Sequence, residues 1–215
     1  MPASATDTRE RILDAAQRIV MRRGFASASV DAIQEEAEIS RGTFFYHFPS
    51  KDDLARELLL RYAEEDREMT EDFMRKAERL TRDPLQQLLV FVGLHEELFE
   101  EMEDYQAGCL FASYSYEAGL FDDETHEVIN DSVDSFKELV GSKIAEAMDT
   151  HPPRVPVEPY AVAEMAYGIM QGAFIVSRVR DDRSVMLEHL RQFRTYLELL
   201  FGVEEVGSSQ PQNAS

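Results

Sequence analysis

Seven consecutive residues, Arg41 to His47, concentrate groups that can bind a polyanion or a base edge. Arg41 offers a guanidinium, Thr43 and Tyr46 hydroxyls, His47 an imidazole, and Gly42 a backbone free of side-chain cover. The surrounding stretch reads SRGTFFYHFPSKDDL, residues 40–54. Nothing in it is arranged to make or break a covalent bond. Its chemistry is that of a recognition surface: cationic and hydroxyl donors for phosphate, polar side chains for base edges. Ser29 and Lys51 extend the set. Each stands at a helix start, where free N–H groups and the positive dipole end suit an anion. The Lys51 charge opposes that dipole, so a phosphate explains its position better than helix stability does. Arg22 and Arg23 add basic reach.

Short helices must position these groups. Asp7 and Glu10 form a capping box for a first helix over about 8–23. Ile12, Ala15, Ala16, Ile19 and Val20 give it one buried face, and Gly24 ends it. Ser29 caps a helix over 30–37 that buries Val30, Ile33 and Ala37. A tight turn follows, and Ser40 caps a helix over 41–48. Phe44 and Phe48, four apart, face inward and anchor it, leaving Arg41, Thr43, Tyr46 and His47 outward. Pro49 stops it. Ser50, with Asp53 at the box position, caps a fourth helix whose stripe is Leu54, Leu58, Leu59 and Tyr62. A long helix, two short helices across a turn and a further helix make a helix-turn-helix arrangement. No linker follows; the fourth helix continues past residue 75.

Five more helical segments complete the chain, and no period-2 strand is evident. The fold class is all-α, about nine helices. Residues 1–60 form the helix-turn-helix unit, 61–203 a helical body and 204–215 a disordered tail by composition. Asp83 and Pro84 open the fifth helix. Helices over 122–149, 159–180 and 184–201 follow, the first two separated by four prolines in HPPRVPVEP.

The 215 residues carry a formal charge of -20, unevenly spread. Residues 1–60 are near neutral, with 8 basic and 10 acidic side chains; the remainder is strongly acidic. Phosphate binding needs a local positive face, not a positive total. No apolar run approaches the roughly 18 residues of a membrane span. The opening residues lack the pattern of a secretory signal, and the one cysteine, Cys109, excludes an internal disulfide. A cytoplasmic protein with no membrane partner is expected. Nucleotide-loop, hydrolase-elbow and metal-spacing motifs are absent, so no enzyme, metal or cofactor is expected.

Residues of about 9–56, and above all RERILDAAQRIVMRRGFASASVDAI and ISRGTFFYHFPSKDDL, resemble the DNA-binding domain of the TetR family of bacterial transcriptional regulators. Chain length and helix number extend the resemblance to the whole chain. Two positions depart: Phe45 replaces a family tyrosine, and Glu38 stands in the turn where glycine is common. The resemblance implies a homodimer that reads a pseudo-palindromic double-stranded DNA operator and is released by a small-molecule effector. Repression is the family default. It also implies DNA contacts at Ser29, Thr43, Tyr46, His47 and Lys51.

In relatives the effector sits inside the C-terminal domain. Inward aromatic, flexible or polar residues are the candidates here: His95, Cys109, Phe111 and Tyr114, then Tyr167, Met170, Gln171 and Phe174. Each competes with plain core packing. The family dimerises through its last two helices. Met165, Gly168, Gly172 and Val176, with Leu190, Phe193 and Leu197, are the candidate interface. Gly168 and Gly172 allow close backbone approach, either by a second copy or by a bulky neighbour in the same subunit. The G-C-L stretch at Cys109 resembles a subgroup that includes electrophile-responsive repressors. A buried, inert thiol is the competing reading, favoured by the acidic run before it. The rival to a DNA regulator is an acidic helical protein-interaction module without sequence-specific DNA binding.

Overall fold

A computed structural model describes residues 5–101, 109–116 and 123–203, all as helices and short connections. The expected tail lies outside these residues. Nine α-helices occur among the described residues, with one 3-10 turn at Phe25–Ser27 that the periodicity does not reveal.

The head is built from α1 (Ala5–Arg23), α2 (Val30–Ala37), α3 (Arg41–His47) and the start of α4 (Lys51–Leu80). Three caps follow from hydroxyls at the right spacing. Ser29, Ser40 and Ser50 accept from the N–H groups of Ala32, Thr43 and Asp53, each at 3.1 Å. Ser50 also donates to the Asp53 carboxylate at 2.7 Å, closing the box. The expected cap at Asp7 is corrected: α1 already runs from Ala5, so Asp7 lies in its first turn. There its charge suits the dipole. The α3 boundary shifts by one residue, since Phe48 has extended backbone. Gly24 leaves α1 at φ 82°, a conformation that favours glycine.

The anticipated faces pack together. Ile12, Ala15, Ala16 and Val20 meet Ile33, Ala37, Phe44, Phe48, Leu54, Leu58 and Leu59 in one core. That core does not stop at the head. Leu110 and Phe111 of α6 (Leu110–Tyr116) and Ile129 of α7 (Asp123–Thr150) belong to it. The boundary expected near residue 60 therefore falls inside a continuous helix with shared packing around it.

A second core holds α5 (Pro84–Glu101), α7, α8 (Pro159–Arg180), α9 (Ser184–Phe201) and the far half of α4. Asp83 caps α5, accepting from the Leu85 N–H at 2.9 Å. A buried lysine pins α4 to α7. Lys143 Nζ reaches Glu78 at 2.9 Å and Glu146 at 2.7 Å, with its side chain only 9% exposed.

Candidate nucleic-acid interface and ligand cavity

α3 presents one face and buries the other. Phe44 and Phe48 are buried, whereas Tyr46 is 79% exposed. The Tyr46 and His47 rings stand edge to face at 5.0 Å. Thr43 shares a 2.8 Å hydrogen bond with the cap hydroxyl of Ser40. Gly42 is exposed, and a Cβ there would meet only Ser40 Oγ at an ordinary 3.8 Å. Nothing in its own chain demands a glycine at 42. Arg41 is ion-paired with Asp31 at 3.0 Å and lies 5.3 Å over the Phe45 ring. Ser29 is exposed at the start of α2.

Lys51 corrects the dipole argument. Its Nζ donates to the Phe25 carbonyl at 2.9 Å and sits 4.1 Å from the centre of the Phe25 ring. The ammonium holds the α4 N-terminus against the 3-10 turn, so it has a structural role in the free chain. Sequence could not show this, because the turn that supplies the carbonyl is itself hidden from periodicity.

A cavity of about 560 Å³ lies where α1 of the head meets α4, α5, α7 and α8, with Cys109 and Phe111 in its wall. The structure brings His95, Cys109 and Phe111 to it from one side, and Tyr167, Met170, Gln171 and Phe174 from α8. Tyr114 is the exception. Its ring is fully buried 5.4 Å from that of Phe25, and its hydroxyl donates to the Ala55 carbonyl at 2.9 Å. It rivets α6 to the head and leaves the cavity to others.

The α4 wall was not anticipated. Tyr62, Asp66, Met69 and Thr70 line the cavity, joined by Phe136 of α7 and Gln17 of α1. The signal was present: positions 62, 66, 69 and 70 continue the stripe of Leu54, Leu58 and Leu59 at helical spacing. Asp66 breaks that stripe chemically and so reads as surface.

Apart from Arg18, Arg22 and Arg61, the polar groups of the cavity are neutral or acidic. His95 is buried, and Nδ1 lies 2.9 Å from the Phe91 carbonyl. A carbonyl only accepts, so Nδ1 carries the proton and Nε2 is left as an acceptor. Burial holds the imidazole below its usual range, hence uncharged at neutral pH. Burial also pushes the Cys109 thiol up, against a hydrogen bond from Gln171 Nε2 at 3.4 Å. A poised thiolate needs the opposite shift. Burial drives the Tyr62 phenol upward as well. Asp66 is raised to about 6, again by burial.

Side chains tie the cavity to the head. Arg61 of α4 donates to Glu10 at 3.1 Å, Asp14 at 2.8 Å and Gln17 at 2.7 Å, all on α1. Arg178 of α8 donates to the Arg22 carbonyl at 2.7 Å, at the other end of α1.

The anticipated dimer face divides. On the outer side of α8, Met165 and Gly168 are exposed and Gly172 and Val176 half-buried, with Ile175 and Val179 exposed beside them. A Cβ on Gly168 or Gly172 would meet nothing within 4 Å among the described residues, so no neighbour in this subunit requires either glycine. The α9 half is corrected. Leu190, Phe193 and Leu197 are buried in their own subunit, packed in the second core. Periodicity revealed a buried seam but not which surface buries it. The outward face of α9 carries Glu188, Gln192, Thr195 and Leu199, the last 64% exposed.

A helix-turn-helix head, joined by an unbroken helix to a cavity-bearing helical body, is the build of a one-chain DNA-binding regulator. Comparison with known proteins agrees. Residues 12–58 match the family described as bacterial regulatory proteins, tetR family, and residues 84–193 match the tetracyclin repressor-like C-terminal domain. The chain belongs to the TetR family, and its class is transcriptional regulator rather than enzyme. UidR of Escherichia coli (strain K12) is 45% identical over 60 residues, a match spanning 28% of this chain and 31% of UidR. The repressor DhaR of Mycobacterium sp. (strain GP1) is 24% identical over 195 residues, covering 88% of this chain and 90% of DhaR. The fold is shared with a TetR family regulator from Agrobacterium tumefaciens. Their TM-score is 0.75 at 21% identity, over 90% of this chain and 98% of that one. The reduced form of E. coli NemR gives 0.74 at 18% identity, over 93% and 100%. No helix among the described residues is long and apolar enough to cross a membrane.

Proposed function

We propose that the protein is a ligand-responsive transcriptional repressor of the cytoplasm. Two copies, joined along the outer face of α8, present their α3 helices to successive major grooves of a pseudo-palindromic operator. Tyr46, Thr43, His47 and Arg41 approach bases and backbone, with Gly42 allowing close approach. Ser29 and the α4 start at Lys51 meet phosphates through their helix N-termini. A small molecule in the cavity releases the DNA.

The observation that carries this reading is that one cavity is walled by helices of both units. Head helix α1 and body helices α4 and α8 all contribute to it. A ligand that prefers one spacing of these helices shifts the α3 spacing by its differential affinity for the two states.

Fluorescence anisotropy on the DNA upstream of the coding region, at two salt concentrations and against random DNA, tests it. Selective binding that weakens steeply with salt is expected, since phosphate contacts release counterions. Equal affinity for random DNA, or binding indifferent to salt, would move the reading to a protein-interaction module.

A further inference from the structure

We propose that the cavity is built for an amphipathic aromatic or hydrophobic cation, with Asp66 as its counter-charge. This rests on the ligand-responsive reading above and names the chemical class of the ligand.

Asp66 lies in the cavity wall without an ion-pair partner among the described residues. All 22 lysines and arginines of the chain fall within those residues, so no other side chain can supply one. Three arginines also line the cavity, and Arg22 among them is exposed at the end of α1. Arg18 pairs with Glu36 at 2.9 Å, and Arg61 with Glu10 and Asp14 of α1. A carboxylate kept half-buried with no counter-ion is costly unless something else supplies the charge.

Two further polar groups of the wall are acceptors. The His95 ring retains only an acceptor at Nε2, and Gln171 Oε1 is buried with no donor. At Asp66, His95 and Gln171 the wall therefore offers acceptors, while Arg18 and Arg22 of α1 and Arg61 of α4 also line the cavity. Around them stand the rings of Tyr62, Phe99, Phe111, Phe136, Tyr167 and Phe174. Aromatic faces attract a desolvated cation and equally hold an apolar ligand body. A ligand whose only charge is negative would leave Asp66 without a counter-charge.

Three probes of equal shape decide the matter: 2-naphthylmethylamine, 2-naphthalenemethanol and 2-naphthoic acid. Their affinities are measured by calorimetry on the full chain without DNA, at pH 7.5, for wild type and Asp66→Asn. The amine is expected to bind at least about tenfold tighter than the alcohol, and the acid weakest. In Asp66→Asn the amine should fall to the level of the alcohol while the alcohol is unchanged. Circular dichroism and a melting curve confirm that the variant is folded. Equal amine and alcohol affinity, tightest binding of the acid, no binding of the amine, or an amine preference that survives in Asp66→Asn would each overturn the proposal. Because no DNA is present, failure of operator binding leaves this result untouched. Tight binding of the acid would sink the cation class while leaving an effector cavity in place.

Discussion

An aspartate on the buried side of a helix lowers stability whenever it is ionised. Asp66 keeps its proton up to about pH 6 in the folded chain, whereas the unfolded chain loses it near the ordinary carboxylate value of 3.8. Below both values the two states bind the proton equally and no penalty exists. As pH rises between them the unfolded state ionises first, so stability falls, and above about 6 the full penalty remains. Asp66→Asn should therefore stabilise the free protein at pH 7.5 by about 1–3 kcal/mol, discounted for partial exposure. The gain should vanish near pH 4. Urea unfolding at the two pH values measures both, and a gain that is independent of pH would refute the assignment. Glu38 is a second strained residue, at φ 53° in the left-handed region at the end of α2. Glu38→Gly should raise stability by about 1 kcal/mol, read as a higher melting temperature. The Glu38 strain was legible from its position in the turn. Asp66 was not, because a carboxylate in an acidic helix looks solvated until the neighbouring helices are in place.

At the scale of the element, α3 buries one face in the core and presents the other, to which the proposed function assigns recognition. Tyr46→Ala removes a side chain that supports little of the core, so its melting temperature should stay within a degree or two of wild type. Its operator affinity should fall about tenfold or more, as expected for loss of a direct contact worth at least 1.4 kcal/mol. Phe44→Ala should do the reverse first, costing about 3–5 kcal/mol of stability through the cavity it leaves. Parallel melting and anisotropy measurements on the two variants test the division; a Tyr46 variant that unfolds early would contradict it. The helices of this region were legible because their signals are local: a hydroxyl cap, two phenylalanines four apart, a proline stop. The seam of α9 was legible only in part. Its spacing shows that Leu190, Phe193 and Leu197 are buried, but a second copy and the chain's own α5 and α8 would produce the same spacing.

At the scale of the molecule, charge and symmetry act on different faces. The acidic excess lies beyond residue 60 and would repel the body from DNA, while the head stays near neutral. In the proposed dimer two such bodies would repel each other at low salt, so the surface joining them would need to be apolar and close-fitting. The outer stripe of α8 meets that need, with Met165, Ile175 and Val179 flanking two glycines whose Cβ positions meet nothing within 4 Å among the described residues. Glycine inside a helix costs about 1 kcal/mol relative to alanine, so two on one exposed stripe are a loss to the lone subunit. Replacing both with leucine should therefore leave the subunit folded, and even raise its intrinsic helix stability. If a second α8 packs there, the added side chains force the backbones apart and the dimer dissociates. Sedimentation velocity of Gly168→Leu/Gly172→Leu should show a monomer with an unchanged far-ultraviolet spectrum. Operator affinity should drop by orders of magnitude, because each half-site is then bound separately. A double variant that still sediments as the wild type does would place the dimer contact on another face.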